Sequence, residues 1–224
     1  NSLIEFILYH AIYIENNLEF STNRNHKYLL DLLGLASAGL LLNNSTYGKK
    51  IFGFAAEGFE EEIRRQVYRD GVTYERSVPL HFLMLECLYL AKIILEKGRH
   101  ETSDGFNFLL QKMFEAASVY LRNDDTVPLT GDSIPGRILS FKSSVNRFNY
   151  SYVMPVGSYL FNNNEWKING KDFTAELIFL SGLKSFNIYT NLSPEKENIK
   201  SIALNEGNHY ILRSEDIHLF ISAD

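Results

Sequence analysis

Apolar residues recur at helical spacing through most of the chain, and polar breaks divide them into segments. Ile4, Ile7, Leu8, Ala11, Ile12 and Ile14 stand close to helical spacing, which predicts an amphipathic helix over about Leu3 to Leu18. The polar run Ser21-Thr22-Asn23-Arg24-Asn25 offers caps for a second helix, Lys27 to Leu42. Its leucines and alanines surround most of the helix, so deep burial is expected. A third helix follows Asn43-Asn44-Ser45-Thr46, carried by Phe52, Ala55, Phe59, Ile63 and Val67, with Glu60, Glu61, Glu62, Arg64 and Arg65 on a face expected to be wet. Pro79 to Glu96 reads as a strongly apolar helix that Gly98 stops. Ser103-Asp104 caps another, Phe106 to Leu121. Tyr150 to Asn162 and Phe173 to Tyr189 are further helical stretches, the second behind an Asp172 cap, although Tyr152, Val153, Ile178 and Phe179 also suit strands.

From Ser201 the pattern shortens. Tyr210-Ile211-Leu212-Arg213 and Ile217 to Ile221, joined by Ser214-Glu215-Asp216, predict a hairpin. The polar stretch Asn191 to Lys200, with Pro194, reads as a boundary between a helical domain over 1–193 and the opening strands of a β domain over 200–224. A lone hairpin is marginal in water, so the rest of that β domain is expected outside this sequence. The absence of an initial Met also suggests a piece of a longer protein.

Between the third and fourth helices lies a polar elbow, Gln66 to His81. It turns at Asp70-Gly71 and carries Arg69, Asp70, Tyr74, Glu75, Arg76 and His81. A second loop, Thr126 to Arg137, holds two prolines and two glycines. The chain has 224 residues, 45% hydrophobic and 22% charged, the balance of an ordinary globular protein. A net charge of -5 and a pI near 5.7 argue against a nucleic-acid partner, while leaving room for a local basic cleft. Cys87 stands in an apolar run and reads as a buried, inert thiol. No apolar run approaches the length of a membrane span, and the first residues lack the basic flank of a signal peptide.

Four motifs in order carry a family resemblance. Asn25-His26 opens a buried helix; Gln66-x-x-x-Asp70-Gly71-x-x-x-Glu75-x-Ser77 precedes His81; Gly131-Asp132-x-x-x-Gly136-Arg137 follows; Tyr210-x-Leu212-Arg213 precedes His218-Leu219-Phe220. The set resembles the heparinase II/III-like polysaccharide lyases over nearly the whole chain. The resemblance implies a mainly α fold, an incomplete (α/α) toroid of helix pairs followed by the first strands of an antiparallel β-sandwich. It also implies an acidic, uronic-acid-containing polysaccharide as partner, glycosaminoglycan or alginate, and cleavage by β-elimination. No cofactor and no metal are expected, and a bacterial, periplasmic or secreted setting is suggested. The sequence gives no indication of oligomeric state.

That chemistry explains the residue types. The C5 proton of a uronate becomes removable only when the neighbouring carboxylate is neutralised by an amide or cation. A Tyr or His then takes the proton, and an acid protonates the leaving oxygen. By the resemblance, Asn25 matches the carboxylate-neutralising Asn and His26 the His beside it, with His81 a further catalytic candidate. Gln66, Tyr74, Glu75, Arg76 and Arg137 are the candidate substrate-binding residues. Read locally, Asn25 and Ser77 are helix caps, His26 is a first-turn surface His, and Asp132 with Arg137 forms a loop-shaping ion pair.

The sequence departs from the family pattern at Leu80, where the resemblance implies a proton-transferring Tyr, and at Ile134-Pro135. It also implies another catalytic His from the β-sandwich, expected beyond Asp224, with His218 an ordinary strand residue. Two alternatives follow. One is a carbohydrate-binding or cell-surface glycan biosynthesis relative that has lost elimination. The other is a glycoside hydrolase on a similar toroid, with Glu75 and Asp132 as its two carboxylates.

Overall fold

The computed structural model describes residues 2–132, 136–139, 149–167, 175–193, 200–214 and 217–223. The expected Asp172 cap, the Ile134-Pro135 departure, the Pro194 boundary and the Glu215-Asp216 turn lie outside them. The described residues form α1 (Ser2–Asn16), α2 (His26–Leu41), α3 (Thr46–Gln66), α4 (Val78–Lys97), α5 (Asp104–Tyr120), α6 (Met154–Phe161), α7 (Ala175–Asn191), β1 (Ile202–Leu204), β2 (His209–Arg213) and β3 (His218–Ser222). Contacts divide the chain into two compact units, Asn1–Gln66 with Cys87–Phe108, and Val67–Glu86 with Leu109–Asp224.

The first unit is built on an α2–α3 hairpin. Arg24, just before α2, meets Glu62 near the end of α3, while Gly39 near the end of α2 meets Gly48 and Phe52 near the start of α3. The two helices are therefore antiparallel. Leu29, Leu32, Leu35, Ala36, Ile51, Ala55, Phe59 and Ile63 are buried in this unit, together with Cys87, whose thiol donates to the Leu29 carbonyl at 3.4 Å. Ser45 and Ser103 accept from Gly48 N–H and Phe106 N–H and cap α3 and α5. Helix α1 presents Leu3, Phe6, Tyr9 and Tyr13 to solvent and buries Ala11.

One expectation fails on α3. The sequence pattern places Glu62 on its wet face, but Glu62 and Gln66 are fully buried. They continue the three-and-four spacing of Phe59 and Ile63, so the helical period carries them to the covered face.

The second unit holds the elbow, a helical run in which a 3₁₀ turn at Ser151–Val153 enters α6, then α7 and the sheet. Phe114 stacks on Trp166 with ring centres 5.6 Å apart. Helix α7 breaks at Gly182, which sits at φ 76 and ψ 179. The strands form an antiparallel meander β1-β2-β3, with Leu204 opposite His209 and Arg213 opposite His218. The predicted hairpin is β2–β3. The sequence pattern did not reveal β1, a three-residue strand too short to show alternation.

Helix α4 corrects the expectation about apolar length. It is 20 residues long and contains an 18-residue stretch with a mean hydropathy of 1.8, enough to cross a membrane by length and composition. Yet 83% of that stretch is buried inside the protein, as befits a core helix.

Candidate functional site

Asn25 is the N-cap of α2. Its Oδ1 accepts from Lys27 N–H at 3.1 Å, with the backbone extended at φ -134. The cap fixes which end of the amide is oxygen, and it leaves the two Nδ2 hydrogens for another acceptor. His26 is the first residue of α2 and is half-buried.

A buried polar network supports this helix start. The Arg24 guanidinium contacts Glu61 at 2.8 Å and Glu62 at 2.9 Å, and it lies 4.5 Å over the Phe20 ring. Glu62 Oε2 in turn accepts from Gln66 Nε2 at 2.6 Å. Gln66 is therefore a buried strut for Glu62, which holds Arg24, the residue before Asn25. Burial, followed by the charge of Glu62, pushes the Tyr28 phenol above its ordinary value, so this hydroxyl stays protonated. Phe20, Ser21, Thr22, Arg24 and Arg65 line an open recess of about 490 Å3 directly before Asn25. Arg65 holds its rim by donating to the Thr22 carbonyl at 2.8 Å. Arg24 and Glu62 were not singled out from the sequence. Their signal was the position of Glu62 on the apolar stripe of α3.

In the second unit the elbow is a tight turn. Tyr68 N–H donates to Val72 O and Gly71 N–H to Tyr68 O, both at 2.9 Å. Gly71, at φ 88, presses against the Lys112 carbonyl, where a side chain would collide. Asp70 fixes the elbow to the β1–β2 turn: Oδ2 accepts from Glu206 N–H at 2.7 Å and Gly207 N–H at 2.9 Å, and Oδ1 from Val72 N–H at 3.2 Å. Glu206 returns the link by accepting from Arg69 N–H at 2.9 Å. Asp70-Gly71 is thus a mechanical clamp.

Tyr74, Glu75 and Arg76 follow on one turn, closed by Arg76 N–H to Thr73 O at 2.9 Å, and all three are half-buried. Arg76 holds the left-handed region at φ 53, an uncommon position for a residue with a side chain. Ser77 then performs two tasks. Its Oγ accepts from Leu80 N–H at 3.2 Å, capping α4, and donates to Asp132 O at 2.7 Å. Gly131, at φ 68, lies so close that a Cβ there would stand 2.9 Å from Ser77 Cβ. The elbow motif and the Gly131-Asp132 motif therefore meet through backbone and Ser77.

Arg137 lies 3.5 Å over the Tyr152 ring. The loop carrying it is anchored by Glu86, whose carboxylate accepts from Ile138 N–H, Leu139 N–H and the Tyr152 hydroxyl, each at 2.9 Å. Burial raises the Glu86 pKa, and the two N–H groups, Tyr152 and Arg137 pull it back. A lone acid inside the apolar run Leu83 to Leu88 was the signal for this anchor.

His81 stands apart from the half-exposed turn. It is 1% exposed, its Nε2 donates to Met113 O at 3.0 Å, and its ring lies edge-on to Tyr120 at 5.4 Å. Burial lowers its pKa to about 4, so the ring is neutral at ordinary pH. Leu80 beside it is also 1% exposed. On the sheet, His209 is buried with Nδ1 2.7 Å from the Tyr120 hydroxyl, and His218 Nε2 donates to Val119 O at 3.0 Å. No group of three or more metal-ligating side chains occurs among the described residues.

Residues 2–155 match the family described as the heparinase II/III N-terminus. Among solved structures, heparinase III aligns with a TM-score of 0.69 at 16% identity, over 98% of this chain and 32% of that one. A mutant of the heparan sulfate lyase HepC from Pedobacter heparinus aligns with a TM-score of 0.62 at 20% identity, over 95% of this chain and 30% of that one. These proteins share the expected fold class, an incomplete (α/α) toroid of helix pairs followed by antiparallel strands. The chain thus spans about a third of the length of the structures it matches. No curated protein sequence matches it.

Proposed function

Because the chain belongs to the family of the heparinase II/III N-terminus, we propose that the protein acts on a uronic-acid-containing polysaccharide by β-elimination. The observation that carries this reading is the state of Asn25. Its oxygen is held by its own helix, which locks the rotamer and offers the Nδ2 hydrogens to a uronate carboxylate. Capping and carboxylate neutralisation are compatible roles for one amide.

In this mechanism the Asn25 amide stabilises the negative charge that develops on the uronate as the C5–H bond breaks. His26, next in the chain, takes that proton through a ring nitrogen. The C5 electron pair forms the C4–C5 double bond, the C4–O bond breaks, and the departing oxygen takes a proton from water, after which His26 returns its proton to solvent. Arg65, on the recess before Asn25, supplies positive charge for an acidic chain, while Arg24 is held by Glu61 and Glu62 and braces the recess. Tyr74, Glu75, Arg76 and Arg137 are proposed sugar contacts of the second unit. His81 serves by keeping the start of α4 packed, since a buried neutral ring tied to Met113 cannot reach a polymer.

The buried Leu80 favours a second reading, a relative that binds the glycan without cleaving it, because Leu cannot transfer a proton. Incubating the full-length protein with a panel of uronate polymers separates the two. Elimination produces the ultraviolet absorbance of an unsaturated uronate. Binding with no absorbance across the panel selects the second reading, and new reducing ends without absorbance select hydrolysis.

A further inference from the structure

At the far end of the α2–α3 hairpin from Asn25 lies a cavity of about 390 Å3, within the size range of small-molecule sites. Helix α2 has 16 residues, so roughly 24 Å of helix separates the two places. Lys49, Lys97 and Arg99 line the cavity beside Leu40, Asn43 and Phe52, and no acidic residue does. Glu96, next to Lys97 in the chain, is engaged by Lys92, and Glu15 by Lys50 and Tyr47. Among the described residues, none of the ion pairs involves Lys49, Lys97 or Arg99. In a chain of net charge -5, an all-cation cavity runs against the overall balance.

Helix electrostatics explains only part of it. Lys97 is the last residue of α4, where a cation complements the carbonyl end of the helix. Lys49 is in the first turn of α3, where a cation is unfavourable. Arg99 is also misplaced by local rules. Helix α4 ends with His100 N–H on Leu95 O at 2.9 Å and Arg99 N–H on Glu96 O at 3.0 Å, a closure that puts Arg99 in the left-handed region at φ 62. Glycine is the usual occupant of that position. Here the glycine is one residue earlier, Gly98, and the Phe52 ring lies against it where a side chain would collide. The arrangement keeps an aromatic wall and a guanidinium together at a conformational cost.

We propose that this cavity is a second saccharide site, which holds a sulfate or carboxylate group on Lys49, Lys97 and Arg99 and the sugar ring against Phe52 and Leu40. The preference for an oxyanion follows from the three cations and the suitability of guanidinium for such groups. The choice of a sugar chain as its carrier rests on the polysaccharide reading above.

The test is a titration of the chain, in an Asn25→Ala background, with a sulfated uronate disaccharide, an uncharged disaccharide and inorganic sulfate at matched ionic strength. Amide shifts around Phe52 and Gly98 locate the binding. The sulfated disaccharide is expected to bind there most tightly, and Lys49→Gln with Arg99→Gln to weaken it about tenfold. Arg99→Gly is expected to weaken binding while leaving Tm no lower, since glycine suits the left-handed position. Unchanged affinity in these variants, or no shifts at Phe52 and Gly98, overturns the site. Inorganic sulfate binding as tightly as the disaccharide overturns the saccharide assignment. Because Asn25 is already removed, failure here is distinguishable from failure of the elimination reading.

Discussion

Single residues in this protein combine tasks that sequence reading sets in opposition. Asn25 reads locally as a cap and by resemblance as a carboxylate partner; its oxygen performs the cap, which leaves the Nδ2 hydrogens for the proposed second role. His81 is the converse case. Its place in the motif suggested chemistry, but burial makes it a packing residue with a titration signature. Its pKa falls from 6.5 to about 4 on folding. As pH drops through 6.5 the unfolded chain takes up this proton first, so the stability associated with a neutral His81 is present above pH 6.5 and lost toward pH 4. The span corresponds to about 3 kcal/mol. Chemical denaturation at pH 7 and pH 4 is expected to show the natural protein losing about that much more than His81→Gln. Parallel pH profiles would refute the assignment.

At the scale of elements, the helices were legible because their apolar spacing is local, and the observed boundaries follow caps such as Ser45, Ser103 and Asn25. What escaped was set by distant partners. Asp70 reads as a turn residue, yet its carboxylate holds N–H groups at Glu206 and Gly207 far along the chain. Nothing near Asp70 in sequence announces that partnership. Glu62 and Glu86 were obscured for a related reason, since a charge on a helix is ordinarily solvated unless its position on the covered stripe is traced. Asp70→Ala is expected to destabilise the fold by about 2 kcal/mol, through lost hydrogen bonds to a charged acceptor. It should also speed amide exchange at Glu206 and Gly207 selectively. Native-like protection at both amides would show that the clamp is not what holds this turn.

On the scale of the whole molecule, the order of motifs pointed to the family whose model matches residues 2–155, and the fold is shared with heparinase III over 98% of the chain. The fold class followed from that order. The chemistry did not, because Leu80 occupies the position where the resemblance implies a proton donor, and it lies buried. The account therefore rests on Asn25 and His26, and on a polymer whose carboxylate needs neutralising before its C5 proton can leave. Asn25→Asp gives the most direct test, because Asp caps a helix as well as Asn but offers a uronate a like charge in place of two N–H donors. With full-length protein and a uronate polymer that it cleaves, the account predicts thermal stability unchanged within about 0.5 kcal/mol and kcat reduced roughly 10²- to 10³-fold. Activity preserved in Asn25→Asp, or activity lost only in step with stability, would contradict it.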